Sequence, residues 1–413
     1  MASLFATLFL AALALSTALR VWLALRQRQH VLAYRAAVPA EFVDRIPLAD
    51  HQKAADYTTA KIRLGLTELA LDVVLLLALT FGGILAMLDD FWRSQLNTSL
   101  FHGLALFASL GVISFVVGLP FSLYRTFSLE ARFGFNKMTP GLYLVDLVKQ
   151  LALTVLIGGP LLLAVLWLMG AMGEHWWFYV WAVWLGFNLL VLLLYPTFIA
   201  PLFNKFSPLA EGEMKARIEA LLARCGFASS GLFVMDGSKR SAHGNAYFTG
   251  FGKAKRIVFF DTLLEKLAPG EVEAVLAHEL GHYQRRHIVK RIAMMSAMSL
   301  ALLWLLGQLI DQPWFYGALN VGAGGTAMAL ILFSLVLPVF SFPLSPLFSS
   351  LSRRHEFEAD AYAAQQASRD DLISALVKLY RDNAATLTPD PLHSLFYDSH
   401  PPASIRIAHL KAC

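Results

Sequence analysis

The chain has 413 residues, of which 57% are hydrophobic and only 15% charged, and its mean hydropathy is +0.56. A soluble domain carries roughly 25% charged residues, so a single soluble body is excluded and a polytopic membrane protein with a polar domain outside the bilayer is implied. The net charge of +5 does not call for a nucleic-acid partner, because Lys and Arg gather in loops retained in the cytosol.

A spanning helix needs about 20 mostly apolar residues. Seven runs qualify: 3–25, 65–88, 99–123, 147–171, 177–199, 292–311 and 326–348. No basic residue precedes the first run. Its arginines lie near its end (Arg20) or follow it (Arg26, Arg28, Arg35), so it reads as a retained helix rather than a cleaved signal. Loops after the first, third and fifth runs are rich in Lys and Arg, while DDFWRSQLNT, GEH and DQPWFYGALN on the other side are poor in them. The N-terminus is therefore expected outside and the C-terminus in the cytosol. Within the second run, Glu68 and Asp72 are four apart. Ionisable groups in a span usually face the bundle interior or water, although an end-of-helix position paired with a nearby lysine reads equally well. Pro160, Pro196, Pro201, Pro338, Pro343 and Pro346 are expected to bend their helices.

The chain thus divides into residues 1–203, with five spans and their loops; 204–290, a polar block; 291–348, with spans six and seven; and 349–413, a mainly helical end. The first polar block reads as a helix (EMKARIEALLARCG), a strand (GLFVMD), a polar turn (GSKRSAHG), strands NAYFTGF and KRIVFF, and a helix opening near Pro269. Proline fixes φ in a first turn, and Glu271 complements the helix dipole. Cys225 and Cys413 are the only cysteines and form neither a zinc-knuckle spacing nor a disulfide framework.

The chemistry concentrates in AHELGHYQRRH, residues 277–287. His278 and His282 are four apart and share a helical face. Two imidazoles so placed can hold one zinc ion, and Glu279 between them is the expected base that takes a proton from the attacking water. Gly281 is expected to leave room beside the metal. His287, five past His282, turns away on a continuous helix and reads as an interfacial residue beside Arg285 and Arg286. A hydrolytic zinc usually has three protein ligands. SRRHEFEADAYAA, residues 352–364, is the best source of the third. Glu356 can ligate, and Asp360, four residues on, can hold a ligand histidine through its far ring N–H. Glu358 would then face away and His355 would be offset. The bland alternative is a solvated charged helix after a span.

With HELGH, the stretches SKRSAHGNAYFTGFGKAKRIVFFDTLL (238–264), SRRHEFEADAYA (352–363), SHPPASIRI (399–407) and RFGFNKMTP (132–140) make the chain resemble the type I CAAX prenyl proteases, integral-membrane zinc endopeptidases. The resemblance covers nearly the whole chain. It implies an α-helical polytopic membrane protein of seven transmembrane helices with a cytosolic zincin-like α+β metalloprotease domain. It implies one zinc ion on His278, His282 and Glu356, with Glu279 as base, His400 and Arg406 beside the active site, and Asn245 and Ala246 contacting substrate. Unaided, His400 reads as an exposed turn residue before two prolines, and NAYF as a buried hairpin strand no less than an edge that pairs with an extended peptide. The resemblance also implies seven helices around a water-filled chamber. The expected partners are the lipid bilayer and a peptide or protein substrate, prenylated or not, for a monomer in a bacterial inner membrane or the endoplasmic reticulum membrane. The alternative is a quality-control protease like the heat-shock membrane zincins, which share HExxH but have fewer spans.

Overall fold

The structure is a computed structural model, which describes residues 1–249, 255–322 and 324–413. Among the described residues, six helices are long and apolar enough to cross a membrane: Ala2–Ala33, Ser99–Glu130, Pro140–Ala171, Gly173–Phe203, His287–Leu309 and Thr326–Gln366. A bent pair, Leu48–Leu79 and Ile84–Gln95, meets at 50° and makes a seventh span if counted as one. The expected run 65–88 lies across that bend. Gly83 turns the chain there with φ +77°, and at Gly82 a Cβ would lie 2.6 Å from the Ala78 carbonyl oxygen. Several basic residues expected in a loop, among them Lys53, Lys61 and Arg63, instead lie on the helix Leu48–Leu79.

Two of the prolines expected to bend their helices sit at widened helical turns. Wide π-helical turns occupy Thr154–Gly158, just before Pro160, and Tyr195–Ile199, which contains Pro196. Proline has no N–H and crowds the carbonyl four residues back, and a π turn absorbs that extra residue. The bundle buries Phe9, Leu106 and Leu166, while Val155 and Leu156 stay about 70% exposed on its outside (69% and 71%). Such a face suits lipid.

The polar part carries four strands among the described residues: β1 Phe206–Pro208, β2 Leu232–Met235, β3 Ala246–Thr249 and β4 Arg256–Phe260. Their order is β1-β2-β4-β3. Strand β2 pairs parallel with β4, and the other two pairings are antiparallel. The short β1 had no strand signal, since it contains a proline. The expected strand NAYFTGF is seen as Ala246–Thr249; residues 250 and 251 lie outside those described. Strand β3 stands at the edge of the sheet, not inside it.

Residues 204–290 and 349–413 share one core. Leu221 of the helix Glu213–Arg224, Phe259 of β4, Leu276 and Leu280 of the helix Pro269–Gln284, Leu376 of the helix Arg369–Asp382 and Leu410 of the helix Ala403–Ala412 all pack in it. Each such side chain contributes about 1.5–3 kcal/mol when fully buried, so the two blocks stand or fall together. Arg240 donates to both oxygens of Asp146 at 2.7 and 2.9 Å, which ties this body to a spanning helix.

Candidate active site

The helix Pro269–Gln284 carries HELGH. Its entry is fixed by Glu271, whose carboxylate accepts from the Ala268 N–H at 2.8 Å, from the Ser374 hydroxyl at 2.6 Å and from the Lys378 ammonium at 2.6 Å. Burial alone would raise this carboxyl; the three donors win and hold it below its ordinary value. The helix Ser345–Gln366 continues the last spanning helix and lies directly against HELGH. A Cβ at Gly281 would stand 2.8 Å from Ala359 Cα. Gly281 therefore lets two backbones approach, and the expectation that it makes room for a metal is corrected.

That approach brings three groups together. His278 Nε2 and His282 Nε2 are 3.2 Å apart. Glu356 Oε2 lies 3.5 Å from the first, and Oε1 lies 3.3 Å from the second. The three residues offer ligand atoms all within 4.8 Å of one another. A tetrahedral ion with bonds of roughly 2.0–2.1 Å separates its ligands by about 3.3 Å, which matches these spacings. Glu356 Oε2 is buried with no hydrogen-bond partner among the described residues. A buried carboxylate oxygen left this way is costly, and a cation would satisfy it. The donor set fits zinc: two imidazoles and one carboxylate.

Around this trio the charges are matched. His278 Nδ1 donates to Asp360 Oδ1 at 2.8 Å. Arg406 donates to both oxygens of Asp360 and also lies 3.6 Å from Glu356 Oε2. Burial pulls the His278 pKa down, but hydrogen bonds with Asp360 and Glu356 outweigh it and raise it to about 9. Burial pushes the Tyr380 hydroxyl up to about 12. His400 sits on the open side with its side chain 61% exposed and Nε2 3.4 Å from Glu356 Oε1; burial from one side lowers its pKa. Glu279 is half-buried and, among the described residues, forms no ion pair.

His400 opens onto a cavity of about 490 Å³ that is also lined by Lys61, Thr58, Tyr380, His393 and Asp398. A larger cavity of about 1150 Å³ lies between the spanning helices and the polar body, with Arg125, Glu130, Asp146, Arg240 and His243 among its walls. Glu68 pairs with Arg125 at 2.5 Å, so its partner is an arginine on another helix and not a nearby lysine. Asp72 is exposed and enters neither the trio nor these cavities. Asn245 is exposed at the start of edge strand β3, and its carbonyl accepts from the Phe260 N–H at 3.0 Å. Ala246 pairs with Phe259.

A further expectation fails. His287 does not turn away: it is 5% exposed, and its Nδ1 lies 2.9 Å from His282 Nδ1. Glu358 stays outside the trio, yet it is tied to it: it accepts from His287 Nε2 at 3.0 Å. The i+5 spacing assumed one continuous helix. In fact the helix stops at Gln284, Arg286 adopts φ +55°, and a new helix starts at His287. That break resets the phase and swings His287 back onto His282. No local sequence signal marks it, because arginine rarely takes positive φ.

The geometry can be set beside known proteins. Residues 27–205 match the model of the CAAX prenyl protease N-terminal region with its five membrane helices, and residues 208–413 match peptidase family M48. CAAX prenyl protease 1 of Saccharomyces cerevisiae is 36% identical over 77% of this chain and 74% of its own length. The Homo sapiens homologue is 35% identical over 73% and 71%. The crystal structure of S. mikatae Ste24p superposes with a TM-score of 0.91 at 32% identity, covering 98% of each chain. The chain is a multi-pass membrane metallopeptidase and belongs to the CAAX prenyl protease family of M48 peptidases.

Proposed function

We propose that this chain is a zinc endopeptidase of the bilayer that hydrolyses peptide bonds near the C-terminus of prenylated, CAAX-type or membrane-associated apolar peptides. The observation that carries the reading is the convergence of His278, His282 and Glu356 within 4.8 Å in a chain whose relatives are named CAAX prenyl proteases. These three residues would hold one zinc ion, which when bound would supply a Lewis acid and lower the pKa of its water to near neutrality.

The rest belongs to the chain's own residues. Glu279, between the two histidines, takes the proton of the attacking water and passes it to the leaving amine. His400, exposed beside Glu356, donates to the developing oxyanion. Asp360 orients His278, and Arg406 holds Asp360. The free edge of β3 at Asn245 and Ala246 pairs with an extended substrate backbone. We count the bent pair Leu48–Leu79 and Ile84–Gln95 as one span, which gives seven. With the Lys and Arg asymmetry of the loops, this count puts the HELGH domain in the cytosol. The reading further takes the protein as a monomer in a bacterial inner membrane or the endoplasmic reticulum membrane.

The deciding experiment uses purified protein and matched C-terminal peptides, farnesylated and plain. Products are identified by mass, with chelator, with chelator then zinc, and with Glu279→Gln. Cleavage lost to chelator, restored by zinc and absent in the variant is expected. Cleavage indifferent to all three would overturn the zinc reading, and cleavage of neither peptide by the zinc-loaded protein would overturn the substrate class; faster cleavage of the farnesylated peptide would single out the prenylated member of that class.

A further inference from the structure

The two histidines of the trio are held differently. His278 has a carboxylate directly on its far nitrogen, Asp360 Oδ1 at 2.8 Å. His282 has no carboxylate there among the described residues. Its Nδ1 faces His287 Nδ1 at 2.9 Å, and His287 Nε2 faces Glu358 Oε2 at 3.0 Å. His287 is 5% exposed, and the ring of His355 stacks on it at 4.0 Å with an interplanar angle of 11°. Arg354 reaches Glu358 from the solvent side at 3.3 Å.

Only one proton arrangement serves a metal at His282 Nε2. That nitrogen must present its lone pair, so the His282 proton sits on Nδ1. His287 Nδ1 must then accept it, so the His287 proton sits on Nε2. An ionised Glu358 requires a donor at that position and selects this tautomer. The chain of contacts is self-consistent from end to end. A His287 with protons on both nitrogens would present a donor to a donor.

We propose that His287 and Glu358 are positioning residues that fix the tautomer and ring orientation of His282 for metal binding, a relay of carboxylate, imidazole and imidazole parallel to the direct Asp360–His278 contact. The inference rests on the zinc reading of the trio. His355 is the lid of this relay, its stacked ring keeping water from the His287 bonds.

The test measures zinc itself. Purified protein is stripped, and zinc affinity is read by competition with a chromophoric chelator, with the zinc off-rate followed after excess chelator is added. Wild type is expected to bind one ion per chain, and Glu356→Ala to bind it far more weakly. His287→Phe keeps the ring volume and removes the acceptor; Glu358→Ala removes the acid at a partly exposed position. Each is expected to lose about 10–100-fold in affinity, as ligand-orienting contacts do, with a faster off-rate. His287→Asn is the discriminating variant: its amide oxygen can accept from His282 and its NH₂ can donate to Glu358. It is expected to recover most of the affinity, which a merely space-filling role would not give. If His287→Phe misfolds, Glu358→Ala and His287→Asn still decide. Wild-type affinity in Glu358→Ala, or equal losses in His287→Phe and His287→Asn, would overturn the relay. A wild type that binds no zinc would overturn the zinc reading instead.

Discussion

Arg406 grips Asp360 with two parallel bonds, Nε to Oδ2 at 2.8 Å and Nη2 to Oδ1 at 2.5 Å, and the two side chains are 7% and 0% exposed. A planar fork on a carboxylate is a geometry that lysine cannot copy. Breaking a buried pair from one side costs about 3–5 kcal/mol, because the remaining charge stays buried. Arg406→Ala and Arg406→Lys should therefore unfold much more easily in detergent than wild type. The double variant with Asp360→Ala should recover part of the loss, since the Asp360 charge is then no longer left buried and unpaired. Unfolding midpoints of the single and double variants give the coupling. Strict additivity would show the two residues to be independent.

Glu279→Gln and Glu356→Ala should fail in different ways. The first keeps every metal-facing group and removes only the base, so zinc content stays at wild-type level while turnover falls by about 10²–10⁴-fold or more. The second removes one of the three convergent groups, so zinc and activity fall together. Metal content by emission spectroscopy and initial rates on one preparation separate the cases. An active Glu279→Gln enzyme would remove that residue from the mechanism.

The i,i+4 spacing of His278 with His282, and of Glu356 with Asp360, made the site legible, because each pair lies within one unbroken helix and the helical period alone puts its members on one face. The family motifs told which pairs meet. What stayed hidden needed a change of direction. His287 joins His282 only because Arg286 breaks the helix, and Glu358 joins through His287. Gly281 looked like space for an ion, yet its neighbour is the Ala359 backbone. The second span was legible as an apolar run, but not its 50° bend. Hydropathy reports where the chain is greasy and is silent about where it turns.

Glu271 sets the entry angle of the HELGH helix, so its titration should be felt in stability. Its folded pKa lies below its unfolded value, which is about 4.3. The folded state then binds fewer protons, so its stabilising contribution is fully present above the unfolded pKa and is lost as pH falls through the lower folded value. Glu271→Gln should cost about 1.5–3 kcal/mol at neutral pH, the worth of hydrogen bonds to a charged group. Unfolding curves of variant and wild type should converge as pH drops below the carboxylate range. A gap that is constant with pH would show that packing, not charge, holds Lys378 and Ser374 there.

Sidedness is open to thiol labelling. Cys413 is exposed and Cys225 buried, so Cys413→Ser gives a quiet background. Ser238, in the polar body, and Asn97, between the helices Ile84–Gln95 and Ser99–Tyr124, are both exposed. A cysteine at Asn97 should react with an impermeant reagent in sealed cells. One at Ser238 should react only after the membrane is opened. The reverse pattern would put HELGH on the outer face.

The last expectation concerns which substrates can reach the trio. His278 is 7% exposed and Glu356 4%, and the helix that carries Glu356 runs on directly from a spanning helix. The groups are therefore recessed at the base of the bundle rather than displayed on a surface. His400 is the open member, and the cavity it faces holds about 490 Å³. That space admits several side chains of an extended chain but no folded domain, which must unfold locally to enter. The free edge of β3 would hold such a chain by backbone hydrogen bonds. A short apolar peptide should thus be cleaved readily, and the same sequence inside a stable folded domain at a rate at least tenfold lower. Loosening that domain with a core mutation should restore cleavage in proportion to its open fraction. Initial rates on the free peptide, the stable fusion and the loosened fusion decide it. Equal rates on all three would mean an open site, with the chemistry of His278, His282, Glu356 and Glu279 untouched by that result.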